Sequence, residues 1–214
     1  MINRGLYMEQ ITPFIDKPFV KVITGIRRCG KSVVLRLIRE ELLRRGVSED
    51  YIIYMNFESF EWIDMKEAKA LYAHIREATK ASGKYYILLD EIQEVTDWEK
   101  AVNAFLVDLD VDIYVTGSNS RLLSSEFSTY LAGRYVAFHI MTLSFREYLL
   151  FHDLPLTISV SDRKTEFLKY LRMGGFPAIH TANYDYNAIY KIVYDIYSSV
   201  ILRDTVQRHS IRNV

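Results

Sequence analysis

Residues 19–24 (FVKVIT) are a short apolar, β-branched run that stops on a glycine, and the chain then reads Gly25-Ile26-Arg27-Arg28-Cys29-Gly30-Lys31-Ser32. No other stretch constrains the fold as strongly, because GxxxxGK[ST] between a strand and a helix is the Walker A spacing of a phosphate-cradling loop. Its glycines let the backbone wrap until successive N–H groups point inward at an anion. The positive end of the following helix adds to that attraction. Lys31 is expected to reach the β- and γ-phosphates of a nucleoside triphosphate, and the Ser32 hydroxyl to take Mg²⁺. Gly25, Ile26, Arg27, Arg28, Cys29, Gly30, Lys31, Ser32 and Val33 are the predicted nucleotide contacts. A chance match in an ordinary β-turn-α connection is the competing reading, and the flanking pattern argues against it.

Helix is expected over 31–45, where Val34, Leu35, Ile38 and Leu42 fall at helical spacing and Gly46 stops the run. Besides 19–24, strands are expected at 51–57 (YIIYMNF), 85–89 (YYILL), 112–116 (DIYVT) and 135–140 (YVAFHI). Amphipathic stretches lie between them: 64–82, with Asp64 as cap and Gly83 as stop; 96–109, with Thr96 and Glu99 in capping-box spacing; and 120–131. This alternation implies an α/β fold with a mainly parallel five-stranded sheet flanked by helices. Residues 1–18 read as a helical lead-in, and the core closes near 142. From 143 to 214 the chain changes character, with helices at 145–150 and 165–173, a GGFP turn and a tyrosine-rich helical stretch over 186–208. That part reads as a small helical lid running into the start of a C-terminal domain that is cut short.

Leu88-Leu89-Asp90-Glu91 has the Walker B character that the loop needs beside it. Asp90 at the end of a buried strand would complete the Mg²⁺ site begun by Ser32. Glu91 is placed to take a proton from an attacking water. A whole strand, 51–57, separates Lys31 from the Asp90 strand, the arrangement of additional-strand P-loop ATPases, and the acid pair favours hydrolysis over phosphoryl transfer to a small molecule. After the fourth strand, Thr116-Gly117-Ser118-Asn119-Ser120 offers Asn119, with Ser118 as substitute, to position water or sense the γ-phosphate; a turn and helix cap would use the same residues. Arg134 could stabilise charge on the γ-phosphate from a subunit boundary, or pack over a helix end. Cys29 sits where such a loop uses its backbone, which argues against a catalytic thiol. The five histidines, at 74, 139, 152, 180 and 209, have no zinc-ligand spacing.

Composition narrows the setting. The 214 residues carry 27 Lys+Arg against 27 Asp+Glu, so no global charge draws the chain to nucleic acid. Arg36, Arg39, Arg44 and Arg45 share a helix with Glu40 and Glu41, which reads first as a solvated, paired face. No apolar run is long enough for a membrane span, the start lacks a signal-peptide core, and one cysteine fits a reducing compartment. The expected address is the cytoplasm. Tyr184, Tyr186, Tyr190, Tyr194 and Tyr197 read as a lid core or a contact surface.

Together these motifs resemble the prokaryotic AAA-type ATPases that carry a second, C-terminal domain of unknown function. The resemblance runs from Arg4-Gly5-Leu6-Tyr7 through GIRRCGKS, LLDEIQEV, TGSNSRLLS, LAGRYVAFHIMTLSFREYL and GGFP to Ile201-Leu202-Arg203-Asp204. It implies ATP and Mg²⁺ at Lys31, Ser32, Asp90 and Glu91, a family GR element at Gly133-Arg134, and Pro177 near the adenine base. The expected function is slow hydrolysis of Mg-ATP driving a conformational change. A nucleotide-operated switch that recruits a protein or a second copy is one alternative. A DNA-associated motor or loader is another.

Overall fold

The β-branched and aromatic runs pair as five parallel strands in a computed structural model that describes residues 4–118, 122, 131–182 and 184–200. They are β1 Val20–Thr24, β2 Ile52–Asn56, β3 Tyr85–Asp90, β4 Val111–Gly117 and β5 Tyr135–His139, in the spatial order β2-β3-β4-β1-β5. Every residue of β1 and β3 is buried, which is why these central strands read as unbroken apolar runs. Pairing of Thr24 with Gly117 and of Leu89 with Val115 brings the carboxyl ends of β1, β4 and β3 to one edge.

The chain divides into two compact units, residues 5–25 with 31–139, and Arg4 and 26–30 with the described residues from 140 onward. In the first unit the crossovers are helical. α1 Gly5–Ile11 precedes the sheet, and α2 Lys31–Arg44, α3 Ala68–Ala78 and α4 Trp98–Asp108 connect its strands. Phe57, Leu71, Ile75, Leu89, Trp98 and Phe105 belong to one buried core between sheet and helices. Lys21, wholly buried on β1, pairs with the Asp112 carboxylate, which also accepts from the Tyr114 hydroxyl at 2.8 Å and the Asp16 N–H at 2.9 Å. Burial pulls the Lys21 ammonium below its usual value, and Asp112 opposes that pull.

Two sequence expectations are corrected here. The helix expected over 64–82 is a 3₁₀ segment, Phe60–Met65, followed by α3 from Ala68. The cause is non-local: Glu67 bridges to Thr96, with the Thr96 N–H donating to Lys66 O and the Ala68 N–H to Thr96 O. Thr96 is thereby held extended, so the Thr96–Glu99 capping box does not form, and Asp97, in the left-handed region at φ 57°, precedes α4 instead. As expected, β2 comes between the loop strand and the Asp90 strand in sequence; in space β4 separates them and β2 lies at the sheet edge. The helix expected over 120–131 falls outside the described residues except for Leu122 and Leu131, as does everything beyond 200.

The second unit holds α5 Phe145–Phe151, α6 Val160–Met173 and α7 Tyr186–Val200. Ser144 and Glu147 cap α5 reciprocally in a capping box, and Ser159 caps α6, which begins at Val160, five residues before the expected start. Phe145, Tyr148, Phe167 and Tyr170 pack ring against ring between α5 and α6. The GGFP turn is fixed by the Leu143 N–H donating to Gly175 O at 2.7 Å and by the lack of room on Gly175, where a Cβ would meet Leu143 O at 2.6 Å. Among the described residues no helix is long and apolar enough to cross a membrane.

Candidate nucleotide site

At the carboxyl edge of the sheet, β3 ends on Asp90, which is fully buried. Three hydroxyls donate to its carboxylate. Ser32, in the first turn of α2, reaches Oδ1 at 3.1 Å; Tyr54 of β2 reaches Oδ2 at 3.1 Å; Thr116 of β4 also donates to Oδ1. Burial first, then the Asp90 charge and hydrogen bond, push the Tyr54 hydroxyl up to about 12. Ser32 Oγ and Asp90 Oδ1 are two adjacent hard oxygen donors, the kind Mg²⁺ takes while keeping several of its waters.

The next residue, Glu91, sits in the left-handed region at φ 54°, ψ 48°. For a residue with a side chain this conformation costs on the order of 1–2 kcal/mol and needs a reason to persist. The Thr116 hydroxyl supplies part of it by accepting the Glu91 N–H at 2.9 Å. The side chain is held at both oxygens: Oε1 lies 3.4 Å from Lys31 Nζ, and Oε2 accepts from Gln93 Nε2 at 2.6 Å. Lys31 itself is buried. Gln93 turns its amide oxygen toward β4, where Oε1 is buried with no hydrogen-bond partner among the described residues. Gly117 makes that possible, since a Cβ there would collide with Gln93 Oε1.

The loop between β1 and α2 bends through positive φ at Gly25 (153°), Arg28 (63°) and Gly30 (105°). Within it the Cys29 N–H donates to Ile26 O at 3.3 Å, and the Cys29 side chain is fully buried. The Cys29 carbonyl accepts from Arg4 Nη1 at 2.8 Å. Pro177 opens a 3₁₀ turn, and its Cγ lies 4.0 Å from where a Cβ on Gly30 would stand.

Lys31, Ser32, Asp90 and Glu91 are thus brought together, and Pro177 is brought to the loop. Arg134 is not brought to Lys31. Its carbonyl accepts from the Val20 N–H at 2.9 Å and its Nη1 donates to Asn103 at 3.0 Å, which places it at the amino end of β1. The five residues of that strand put roughly 13 Å between Arg134 and the loop end. Asn119 lies outside the described residues, and Val33 is half-buried on α2. The sequence reading assigned no role to Thr116, Tyr54, Gln93 or Arg4. Thr116, Gln93 and Arg4 lay inside quoted motifs, but what they touch depends on the order of the strands and on pairings distant in the chain.

A parallel sheet ordered β2-β3-β4-β1-β5, a glycine-rich loop after β1 and an acid at the end of β3 with one strand between them define a P-loop NTPase fold of the AAA type. Residues 17–149 match the AAA domain family, and the chain belongs to it. An uncharacterized protein of Haemophilus influenzae is 39% identical over all 214 residues, which are 52% of its length. An uncharacterized protein of Methanocaldococcus jannaschii is 36% identical across the whole chain, corresponding to 47% of its own. The chain therefore spans about half the length of these curated relatives. Among solved structures, AMPPCP-bound DnaA from Aquifex aeolicus superposes with a TM-score of 0.54 at 14% identity, over 98% of this chain and 67% of that one, a likeness of fold.

Proposed function

We propose that the chain binds Mg-ATP and hydrolyses it slowly to ADP and phosphate, with the change of nucleotide driving a change of conformation. The observation that carries this reading is the convergence of Lys31, Ser32, Asp90 and Glu91 where the phosphate loop enters α2. The loop amides and Lys31 hold the phosphates. Ser32 and Asp90 hold Mg²⁺, which when bound neutralises charge on the phosphate oxygens. Glu91 accepts a proton from water as the water oxygen bonds to the γ-phosphorus and the bond to the bridging oxygen of ADP breaks. The proton then passes from Glu91 to solvent. Asn119 helps place that water, Pro177 contacts the base, and Arg134 acts on the nucleotide of a second copy. In this reading 1–142 form the catalytic core, 143 onward is a helical segment leading to a further domain, and the protein works in the cytoplasm.

Slow turnover, and a role closer to a switch, is favoured by Glu91 being engaged at both oxygens by Lys31 and Gln93. A Glu91→Gln variant separates the two: it binds Mg-ATP without cleaving it, and an output that survives in it belongs to the bound state. The DNA-motor reading has less support, because Arg39, Arg44 and Arg45 are paired with Glu49 and Glu41. The test of hydrolysis is phosphate release by this chain and by Lys31→Ala, each with and without duplex DNA. Release is expected from the parent alone, and equal release by both proteins refutes the assignment.

A further inference from the structure

Arg4 is almost wholly buried, at 2% exposure, in the unit that also holds the phosphate loop. Its fork is spent on fixed partners. Nε donates to Glu147 Oε1 at 2.8 Å, and Nη2 to Glu147 Oε2 at 3.2 Å and Met141 O at 3.0 Å. Nη1 donates to Cys29 O at 2.8 Å. Glu147 is anchored in turn by the Ser144 N–H and hydroxyl at the start of α5. Burial pushes the Glu147 carboxyl up, yet the bonds from Arg4 and Ser144 outweigh it and hold the group below its usual value.

The consequence lies in the peptide unit. The Cys29 carbonyl and the Gly30 N–H belong to one trans peptide, so they point in opposite directions. Fixing the carbonyl on Arg4 fixes the N–H on the other side. A guanidinium on the carbonyl also polarises the amide and makes its N–H a stronger donor to an anion. Arg4 also stands close to the next residue: a Cβ at Gly30 would lie 3.2 Å from Nη1, so a larger residue there crowds the fork. We infer that Arg4 is a positioning residue for phosphate binding, which aims the Gly30 amide at the nucleotide's phosphates through Cys29 O and ties that aim to helix α5 through Glu147. This rests on the loop binding phosphate as proposed above.

Arg4→Met alone would leave the Glu147 carboxylate buried without its partner and could unfold the chain. The double variant Arg4→Met with Glu147→Gln removes both charges and keeps a residue able to complete the cap of α5. The 214-residue chain and this variant are titrated with Mg-ATP and with inorganic tripolyphosphate by calorimetry, and folding is checked by circular dichroism. The variant is expected to stay folded and to bind both ligands about tenfold more weakly, by the same factor, as fits one misaimed charge-assisted donor. Parental affinity for both overturns the inference while leaving the proposed function standing. A loss confined to Mg-ATP overturns it too, because the defect then lies at the base or ribose. A parent that binds neither ligand overturns the proposed function and this inference with it.

Discussion

Replacing Thr116 with Val tests the joint of the candidate site, because the two side chains are close in shape and the change removes hydrogen bonds more than volume. Thr116 is fully buried; its hydroxyl donates to Asp90 and accepts the Glu91 N–H at 2.9 Å. A hydrogen bond to a carboxylate contributes about 1.5–3 kcal/mol and a neutral one about 1 kcal/mol. Exchanging hydroxyl for methyl returns roughly 0.8 kcal/mol of apolar burial. The net loss is about 2–3 kcal/mol, which for a chain of this length lowers the melting point by roughly 4–12 °C. Calorimetric melting of parent and variant measures it. Without its anchor, Glu91 relaxes out of the left-handed region, and phosphate release at saturating Mg-ATP falls more than affinity does. A variant that melts within about 1 °C of the parent, or that turns over at the parental rate, refutes the reasoning.

The buried pair on β1 and β4 gives a second expectation: Asp112→Leu costs about 3–5 kcal/mol in urea unfolding by leaving Lys21 buried without its counter-charge. Adding Lys21→Met recovers part of that loss, and a double variant no more stable than the single one disproves the ion-pair account. A third concerns pH. Burial holds His180 below the usual histidine value of 6.5, with Nε2 donating to Gly174 O at 2.8 Å and Nδ1 facing His152 Nε2 at 3.1 Å. The unfolded chain therefore binds more protons in that window, and stability falls as the pH drops below 6.5. Melting curves taken across that range on parent and His180→Gln check this; an identical slope in both would show that His180 is not the group responsible.

What the sequence conveyed depended on how local the cause was. The five strands were legible because both faces of β1 and β3 are covered, which writes an apolar run into each. The loop was legible because strand, glycines, Lys31 and helix are consecutive. Thr96 was misread because a partner 29 residues away, Glu67, holds it extended, and capping rules see only neighbours. Arg4 escaped for the same reason on a larger scale: Glu147 lies 143 residues away, and nothing near Arg4 in sequence hints at the pairing. The reach of Thr116 to Asp90 required knowing that β4 lies beside β3, which sequence order does not state.

That strand order has a chemical consequence. With β4 between them, β1 and β3 are two strand spacings apart, roughly 10 Å, too far for a side chain at the end of β1 to touch Asp90. The gap is closed from above by the first turn of α2, where Ser32 reaches Asp90 at 3.1 Å and Lys31 reaches Glu91 at 3.4 Å. It is closed from within the sheet by Thr116 on the intervening strand, which touches both acids. The interposed strand is therefore part of the site as well as a spacer. The strained Glu91 conformation and the burial of Asp90 share one support from β4, the Thr116 hydroxyl, beside the donors that Ser32 and Tyr54 bring to Asp90 and that Lys31 and Gln93 bring to Glu91.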